Sequence, residues 1–477
     1  MDPVGRHRRR LRHHRRKGCE QRCLRRMLGL LGLSGNRAMY SWLCLPSCLK
    51  RSTLALAMVP ALVTQVAIAQ EPTDDLAVTK ALIATRQFEA AHEILERRLS
   101  TNPGDVDALF LLGMIALAND DYPAAIMRFR QALEREPNAT RIRLELARTL
   151  FLAKNDEDAE YHFKLAIAQH PPAPVVENIA RFREAIRARR AWRFNVNFGI
   201  APDSNINSAT DKERVEIFGL PFQLDASARA RSGTGIIVGG DASIRLRREH
   251  KVPIYLGAYG RMVRYPDHDF DDIYVGGEAG PEFRLSAGRL RVAATGFHRW
   301  YGGDSLVTSL GARLNFDKVI GGKWGLEASL AARHNAYARR SDVDGWEVEA
   351  SVSANRAVSA SALGFAYASI QRTIAHDPGQ SSRSARLGGG VLKEVGWGLR
   401  PQISFEVARQ VNDAPLALFN QTRRDWRLQA SASIYKRDWN VMGFAPSLRV
   451  IYTRNFSTIS LYDQKRLRAE FGIAKAF

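Results

Sequence analysis

The hydrophobic pattern of the chain changes its period at residues 192–210, and this change constrains the fold more than any other feature. Before this stretch, apolar residues recur at the spacing of an α-helix, whereas after it they alternate with polar residues as in a β-strand. One element cannot satisfy both periods. We therefore predict an α + β protein with two domains, a helical one over residues 71–190 and a β-domain over residues 191–477.

Internal repeats organise the helical half. Three prolines and three alanines each recur every 34 residues: Pro103, Pro137 and Pro171, and Ala91, Ala125 and Ala159. Such helix pairs cannot bury their own apolar faces, so they stack, with small residues where helices cross and proline after each second helix. The middle repeat resembles the tetratricopeptide pattern, although Leu109 and Ala116 replace the usual Trp and Tyr. We predict a tetratricopeptide α-solenoid, capped by a final helix near residues 174–190.

The register of the repeats predicts a concave apolar groove that also carries basic side chains. Such a groove suits an extended peptide or a partner helix. Its candidate client-binding residues are Phe110, Met114, Leu117, Leu144, Arg148 and Phe151. The alternative interpretation is that the apolar members of this set are ordinary core side chains.

The β-domain consists of fourteen alternating segments between residues 193 and 477. Short turns alternate with generally longer loops along this series, such as the loop at residues 202–233, which is the pattern of an outer-membrane barrel. A closed barrel also satisfies every backbone donor and acceptor in lipid. We therefore predict a 14-stranded antiparallel transmembrane β-barrel. A soluble all-β domain is the alternative, and it would leave an apolar face on every strand without helical cover.

Two sets of side chains follow from this alternation. Aromatic residues near strand ends are expected to form interfacial girdles: Tyr255, Tyr265, Tyr274, Trp300, Tyr301, Trp324, Trp346, Trp397, Trp426, Tyr435, Trp439, Tyr452 and Tyr462. Inward charges are expected at Arg313, Arg333, Arg400, Arg427, Arg468, Glu327, Glu347, Glu349, Glu406 and Glu470. A lining of both signs is more typical of a braced or plugged barrel than of an ion-selective pore.

The N-terminal region indicates export rather than nucleic-acid binding. Of the net charge of +21, residues 1–50 contribute thirteen basic against two acidic residues, a surplus of eleven. A basic arm that binds nucleic acid would require a cytosolic protein. However, residues 39–69 resemble a signal peptide cleaved after Ala69, and residues 1–38 are interpreted as lying upstream of the true start. All four cysteines precede that cleavage point, so the mature chain is expected to contain none.

Catalytic signatures are absent from the sequence. It contains no zinc-protease, nucleophile-elbow or phosphate-loop motif, and we expect neither an enzyme nor a cofactor. Four carboxylates at Asp267, Asp269, Asp271 and Asp272 are compatible with Ca²⁺ or with a solvated loop, and we favour the loop and predict no metal site.

The chain combines a signal peptide, tetratricopeptide repeats and a fourteen-strand barrel, whose first strand runs from Phe198 to Asn207 through Pro202 and Asp203. This combination resembles the surface lipoprotein assembly modifier family, the outer-membrane translocons of type XI secretion. The resemblance implies export of client surface lipoproteins or secreted proteins, often for metal or haem acquisition, with the repeats in the periplasm.

This hypothesis implies several partners, and two other functions are its alternatives. The expected partners are outer-membrane lipid, the client, periplasmic chaperones and the barrel assembly machinery, and not nucleic acid. Asp203, Asn205 and Asn207 are candidate residues of the barrel seam or rim. The alternatives are a polysaccharide export porin, since other helical-repeat barrels do that work, and a structural scaffold that recruits an outer-membrane complex.

Overall fold

The helical half is built from seven helices in the part of the chain that the structure describes. This computed structural model describes residues 75–189, 192–246, 252–321, 323–439, 441 and 444–476, so the signal-peptide and upstream assignments lie outside it. The helices are α1 (Asp75–Ala84), α2 (Phe88–Thr101), α3 (Val106–Ala118), α4 (Tyr122–Arg135), α5 (Thr140–Leu152), α6 (Asp156–Ala168) and α7 (Ala173–Arg189). Among these helices, none combines the length and apolar character needed to cross a membrane.

The 34-residue period is visible in the backbone as well as in the sequence. The turns after α1, α3 and α5 each contain a residue with positive φ, namely Arg86 at 62°, Asp120 at 58° and Lys154 at 63°. These positions are 34 residues apart, so each helix pair makes the same tight turn. Side-chain caps begin α3, α4 and α6, as when Asp105 Oδ1 accepts from the Ala108 amide at 2.9 Å. The equal turns stack the helix pairs in register, which confirms the tetratricopeptide prediction.

Sixteen strands lie in the described residues, and fourteen of them form one closed antiparallel barrel. The barrel strands are β1 (Trp192–Asp203), β4 (Gly233–Leu246), β5 (Ile254–Arg264), β6 (Asp272–Leu285), β7 (Gly288–Tyr301), β8 (Asp304–Ile320), β9 (Trp324–Tyr337), β10 (Gly345–Ser359), β11 (Ala362–Ala375), β12 (Ser382–Lys393), β13 (Leu399–Leu416), β14 (Gln421–Lys436), β15 (Phe444–Ser457) and β16 (Gln464–Ala476). Because β1 pairs with both β4 and β16, the barrel has no free edge.

The loop between β1 and β4 contains structure that the sequence analysis missed. Strands β2 (Arg214–Ile217) and β3 (Leu220–Gln223) form a separate two-stranded sheet there. Phe218 and Gly219 connect them with φ values of 53° and 77°. The segment is the long connection between barrel strands that was predicted, but its two strands were not, because four residues are too few to show a clear alternation.

The faces of the barrel strands follow the predicted alternation. Large apolar side chains on one face are exposed and form the outer surface, for example Leu310 at 67% and Phe405 at 65%. The opposite face carries the predicted charges, and several of them form ion pairs between strands, as Arg313 of β8 does with Glu278 of β6 at 3.6 Å. This arrangement gives the barrel an apolar outer surface and a polar, braced interior.

The girdle prediction was wrong for several tyrosines. Tyr255 is 7% exposed and lies under the guanidinium of Arg291, at 3.7 Å from its ring centre. Tyr265 is also buried, and Tyr274 contacts the ring of Tyr259 inside the barrel. Position within a strand of period two, rather than closeness to its end, decides which face an aromatic side chain occupies. Trp346, by contrast, is 50% exposed on the outer face.

Candidate functional site at the barrel mouth and the closing seam

The last helix pairs lie against the end of the barrel that carries its short turns. The amide of Trp397, in the turn between β12 and β13, donates to Glu134 Oε1 of α4 at 3.1 Å. At another short turn, Arg284 of β6 lies 3.1 Å from Glu184 of α7. Because both turns belong to the same end of the strands, the repeat domain sits on that mouth of the barrel.

Helix α6 makes the apolar part of this contact. Tyr161 and Leu165 of α6 pack in one buried cluster with Ala357 of β10, and Leu363 and Leu392 of the next two strands pack against it. Leu165 is fully buried. Burial of a leucine contributes about 2 kcal/mol, so this cluster anchors α6 against the β10–β12 side of the mouth.

A buried ion-pair network joins α6 to strand β13. Asp158 Oδ1 accepts from Arg400 Nη2 at 2.8 Å, and Asp158 Oδ2 accepts from Arg130 Nη2 at 3.2 Å. The guanidinium of Arg400 also lies 4.5 Å from the ring centre of Tyr161. Burial alone would raise the pKa of Asp158, but Arg400 and Arg130 outweigh it and hold that pKa far below its ordinary value. Asp158 therefore remains a carboxylate and ties the repeat domain to the barrel wall.

A second charged group completes the network around His162. Glu394, in the turn after β12, pairs with Arg437 and lies 3.8 Å from Arg143 of α5. Arg143 Nη1 lies 3.3 Å from His162 Nδ1, and since a guanidinium only donates, the imidazole nitrogen accepts. Burial lowers the pKa of His162 to about 3. His162 is therefore neutral at ordinary pH.

A large cavity joins the repeat domain to the inner face of the closing strands. Its volume is about 1240 Å³, and its walls come from the α5–α6 turn, including Lys154 and Asp156, and from the lumen side of β1, β4, β15 and β16. Asn195 and Asn197 of β1 face this space, opposite Glu470 of β16. A molecule that passed along the last repeats would thus reach the seam from inside the barrel.

The seam between β1 and β16 is the weakest-paired stretch of β1. With β4, β1 pairs continuously from Trp192 to Asp203, whereas with β16 its described pairs run only from Asn195 to Ile200 and resume at Asp203. Pro202 lies in the interruption and has no amide hydrogen to donate. The ladder between β1 and β16 therefore lacks backbone bonds near the end of β1 that is away from the repeat domain.

Polar side chains and turn amides replace those missing ladder bonds. Asp203, which is 4% exposed, accepts from Arg466 Nε with both carboxylate oxygens at 2.9 Å. The Ser204 amide donates to the Leu467 carbonyl at 3.0 Å, and the Leu467 amide donates to Ser204 Oγ at 2.8 Å. We call residues 203–205 with residues 465–467 the seam clip. It closes the barrel at the end opposite the repeat domain.

Asn205 and Asn207 hold the clip to the loops around it. Asn205 is 1% exposed, and its Nδ2 donates to the Lys465 carbonyl at 3.1 Å and to the Ala209 carbonyl at 2.7 Å. Asn207 Nδ2 donates to the Arg229 carbonyl at 2.7 Å, while its Oδ1 accepts from the Arg231 amide at 3.0 Å. All three candidate seam residues, Asp203, Asn205 and Asn207, thus lie together at the end of β1 away from the repeat domain.

The candidate groove residues divide into covered and accessible ones. Phe110 and Leu117 are buried in the core of the repeats at 9% and 8% exposure. Half-buried Met114, Leu144 and Phe151 pack against that core, and Phe151 lies 4.3 Å from the guanidinium of Arg189. Arg148 is also half-buried and pairs with Glu145 at 3.2 Å. A client groove stays a prediction, and its accessible surface comes from Met114, Leu144, Arg148 and Phe151.

The docking residues were missed by reasoning from the sequence. Arg400 was placed correctly inside the barrel, but nothing in the sequence connects it with Asp158, which lies 242 positions earlier. A polar or charged residue on the apolar side of a repeat helix is the signal available, and Asp158, Arg143 and His162 each provide it. Among the described residues, no group of three or more metal-ligating side chains is placed to hold an ion. Asp271 of the acidic loop instead accepts from Arg264 at 3.1 Å.

Comparison with known protein families agrees with this architecture. Models of the tetratricopeptide repeat match residues 80–128 and 116–180, which cover α2 to α6. The model of the surface lipoprotein assembly modifier matches residues 192–477, the whole barrel. The chain belongs to the surface lipoprotein assembly modifier family. Family membership and the closed fourteen-strand barrel point to the outer membrane.

Individual relatives match half or more of the chain. The chain is similar to surface lipoprotein assembly modifier 1 of Neisseria meningitidis serogroup B, with 25% identity over 76% of this chain and 75% of that protein. The surface lipoprotein assembly modifier of Moraxella catarrhalis is 25% identical over 77% of this chain and 74% of its own length. The hemophilin secretion modulator of Acinetobacter baumannii is 23% identical over 50% of this chain and 52% of that protein. The family is one of assembly and secretion factors rather than enzymes.

Proposed function

We propose that this chain exports client surface lipoproteins or secreted proteins across the outer membrane. The observation that carries the proposal is the cavity of about 1240 Å³ that the last repeats share with the inner face of the closing strands. The relatives whose names refer to surface lipoprotein assembly and to hemophilin secretion support the same activity. In this proposal the repeats recruit the client or its chaperone, and the barrel passes the client outward.

The repeat domain is proposed to lie in the periplasm. The short turns of the barrel are on the side of the repeats, as the contacts of Trp397 and Arg284 indicate. Outer-membrane barrels carry short turns on the periplasmic side and longer loops outside. The seam clip, at the opposite end, then lies at the cell surface.

The closing seam is the proposed route within the barrel. Pairs such as Arg333 with Glu347 and Arg291 with Glu278 brace the lumen, and α6 occupies part of the mouth. The β1–β16 ladder, in contrast, is interrupted at Pro202 and faces the cavity. Separation of β1 from β16 would break fewer backbone pairs than separation of β1 from β4, because the described ladder with β16 is the shorter of the two.

Surface display of a client tests the export proposal. The chain would be expressed with a lipoprotein or secreted protein encoded beside its gene, and intact cells would be probed for that client by antibody or protease. We expect surface signal only with the chain present. Equal signal from cells that lack the chain would contradict export by this protein.

Cross-linking separates the seam route from a lumen route. Asn197 and Ala474 are paired across the seam, so N197C with A474C would lock β1 to β16 when oxidised. The matched control is S351C with S369C, a pair in the same barrel between β10 and β11. Loss of display in the oxidised seam variant alone supports the seam, whereas equal display in both excludes it.

Polysaccharide export predicts a different behaviour of the barrel. A polysaccharide porin needs a wide open lumen and high single-channel conductance in planar bilayers. Helix α6 at the mouth and the charge pairs of the lumen favour a barely conducting channel instead. Conductance of the purified chain discriminates between the two functions, and a large steady current would favour the porin.

A further inference from the structure

A second cavity lies at the same mouth of the barrel, beside helices α6 and α7. Its volume is about 540 Å³. One wall consists of side chains from α6 and α7, such as Lys164 and Arg187, and the other consists of the inner ends of β4 to β10, such as Arg289 and Arg313. The cavity thus lies between the repeat domain and the barrel wall, as the first cavity does.

The lining of this second cavity is strongly basic. Among the described residues that line it, eleven are Lys or Arg and four are Asp or Glu, which leaves a surplus of seven positive charges. Three more carboxylates just outside the lining pair with its cations, those of Glu184, Asp241 and Glu282. Among the described residues, a surplus of four positive charges remains after these carboxylates are counted.

The acidic residues within the lining are shared between cations. Glu160 lies 2.7 Å from Arg183 and 3.9 Å from Lys164. On the barrel side, Glu278 lies 3.0 Å from Arg291 and 3.6 Å from Arg313. Each carboxylate therefore neutralises only one of the two cations that face it.

The basic surroundings affect the pKa values of two cations on the helix wall of the cavity. Burial first, and then the neighbouring guanidiniums, lower the pKa of Lys164. Burial and the charge of Arg183, with a contribution from Arg289 across the cavity, lower the pKa of Arg187. Cations of the two walls thus oppose each other, and that repulsion works against the docking of the helices on the barrel.

The first cavity is a natural comparison because it lies at the same mouth. Among its described lining residues, six are Lys or Arg and five are Asp or Glu. The lining of this larger cavity is therefore almost neutral, and the basic character is particular to the second cavity. A general positive charge of the chain does not explain this difference.

We propose that the second cavity is a binding site for a multivalent phosphate-bearing anion, which bridges Lys164, Arg183 and Arg187 of the helices to Arg289, Arg291 and Arg313 of the barrel. A phosphate group carries a charge of about −2 and several acceptor oxygens, whereas a carboxylate carries −1. Two phosphate groups balance the remaining surplus of four, and arginine forks match their oxygens. Four separate carboxylates would have to share a cavity of about 540 Å³ to do the same.

Binding of inorganic pyrophosphate to the purified full-length protein tests the site. The protein is prepared in a phosphate-free detergent, and binding is measured by calorimetry at low salt. Arg187→Gln and Arg313→Gln remove one cation from each wall. The matched control is Arg449→Gln, because Arg449 also faces the lumen but lines the neutral cavity. Circular dichroism of each variant verifies that the helices and strands are retained.

Pyrophosphate is expected to bind the wild-type protein and the Arg449→Gln variant equally. Each of the other two variants should bind about tenfold more weakly, as expected for one lost charge-assisted contact of about 1.5 kcal/mol. Absence of binding by the wild-type protein, equal loss in the Arg449→Gln variant, or equally tight binding of citrate would overturn the proposal.

The same protein in nanodiscs identifies the source of the phosphate. If lipid A displaces pyrophosphate, the natural ligand is a lipid headgroup. If pyrophosphate binds equally with and without lipid A, the ligand is a free phosphate compound. Both results support a phosphate site. Neither result depends on export, since the measurement is of binding and the export proposal is tested by surface display.

Discussion

Gly113 of α3 shows at the residue scale how closely the helices of one repeat approach. A Cβ atom placed on Gly113 would lie 2.5 Å from Cε1 of Phe129 in α4, and Phe129 is fully buried. The repeat pattern predicts small residues where the helices cross, and this contact is the physical reason for a glycine at this position. The ring of Phe129 has no space into which it can retreat, since it also contacts Phe110 at 5.9 Å between ring centres.

We predict that Gly113→Ala destabilises the repeats by about 1–2 kcal/mol. Overpacking costs about 1–3 kcal/mol, and the better helix propensity of alanine returns up to about 1 kcal/mol. Urea unfolding followed by the helical signal at 222 nm measures the effect. Gly104→Ala is the control, since its nearest non-local atom would be at 3.6 Å. A more stable Gly113→Ala protein would show that Phe129 can move.

His162 makes a second prediction at the residue scale, on pH. Its folded pKa is lowered to about 3 by burial, whereas the unfolded value is about 6.5. Between these values the unfolded chain binds a proton that the folded chain does not, so stability is complete above pH 6.5 and falls as pH drops towards 3. Between pH 6.5 and 4.5 the loss amounts to about 2 kcal/mol.

Replacing the histidine isolates its contribution. His162→Asn keeps a hydrogen-bond acceptor for Arg143 but does not titrate, so the unfolding free energy should become nearly independent of pH between 6.5 and 4.5. The carboxylates with lowered pKa values, such as Asp158, act at lower pH. His92→Asn is the control, because His92 is exposed. An unchanged pH profile in His162→Asn would assign the loss to other groups.

At the scale of elements, β1 has two ladders of unequal extent at the place where the barrel closes. It is paired completely with β4, but only in part with β16, where Pro202 interrupts the ladder. The seam clip compensates with side chains. A clip of this kind can be released without unfolding a strand, since its bonds join side chains and turn amides at the barrel end.

We predict that Asp203→Asn loosens the outer end of the seam. The change leaves Arg466 next to a neutral amide and weakens a charge-assisted pair, at a cost of about 2 kcal/mol. Hydrogen exchange of the β1 and β16 amides should increase, while exchange of β8 and β9 stays the same. Asp413→Asn is the control, because that carboxylate pairs with Arg372 at 2.8 Å away from the seam. Unchanged exchange at β1 would mean that backbone pairing alone holds the seam.

At the scale of the whole molecule, the repeat domain and the barrel belong to one compact unit, Gln70–Phe477. The apolar cluster around Leu165 and the network around Asp158 hold α6 at the mouth. The neutral cavity and the basic cavity lie on either side of this contact and are lined by both domains. Passage of a folded client through the mouth would require α6 to move.

We predict that locking α6 to the barrel stops export. All four cysteines lie before residue 70, within the segments predicted to be absent from the mature chain, so L165C with A357C adds the only cysteine pair expected there, in the buried cluster. Oxidation should abolish surface display of the client, and reduction should restore it. The single variants L165C and A357C, treated with the same oxidant, are the controls. Full display by the oxidised pair would show that the client passes with the repeats docked.

Sequence alone determined the properties that repeat along the chain. The 34-residue period and the alternation of the strands predicted the solenoid, the fourteen barrel strands and the inward charges, because each is a local consequence of backbone geometry. Only the tertiary structure decided which distant residues meet. Asp158 with Arg400, Asp203 with Arg466, the inward position of Tyr255 and the opposed cations of the second cavity all depend on how the sheet closes and where the repeats dock. No periodicity encodes those contacts, since they join positions up to 263 residues apart.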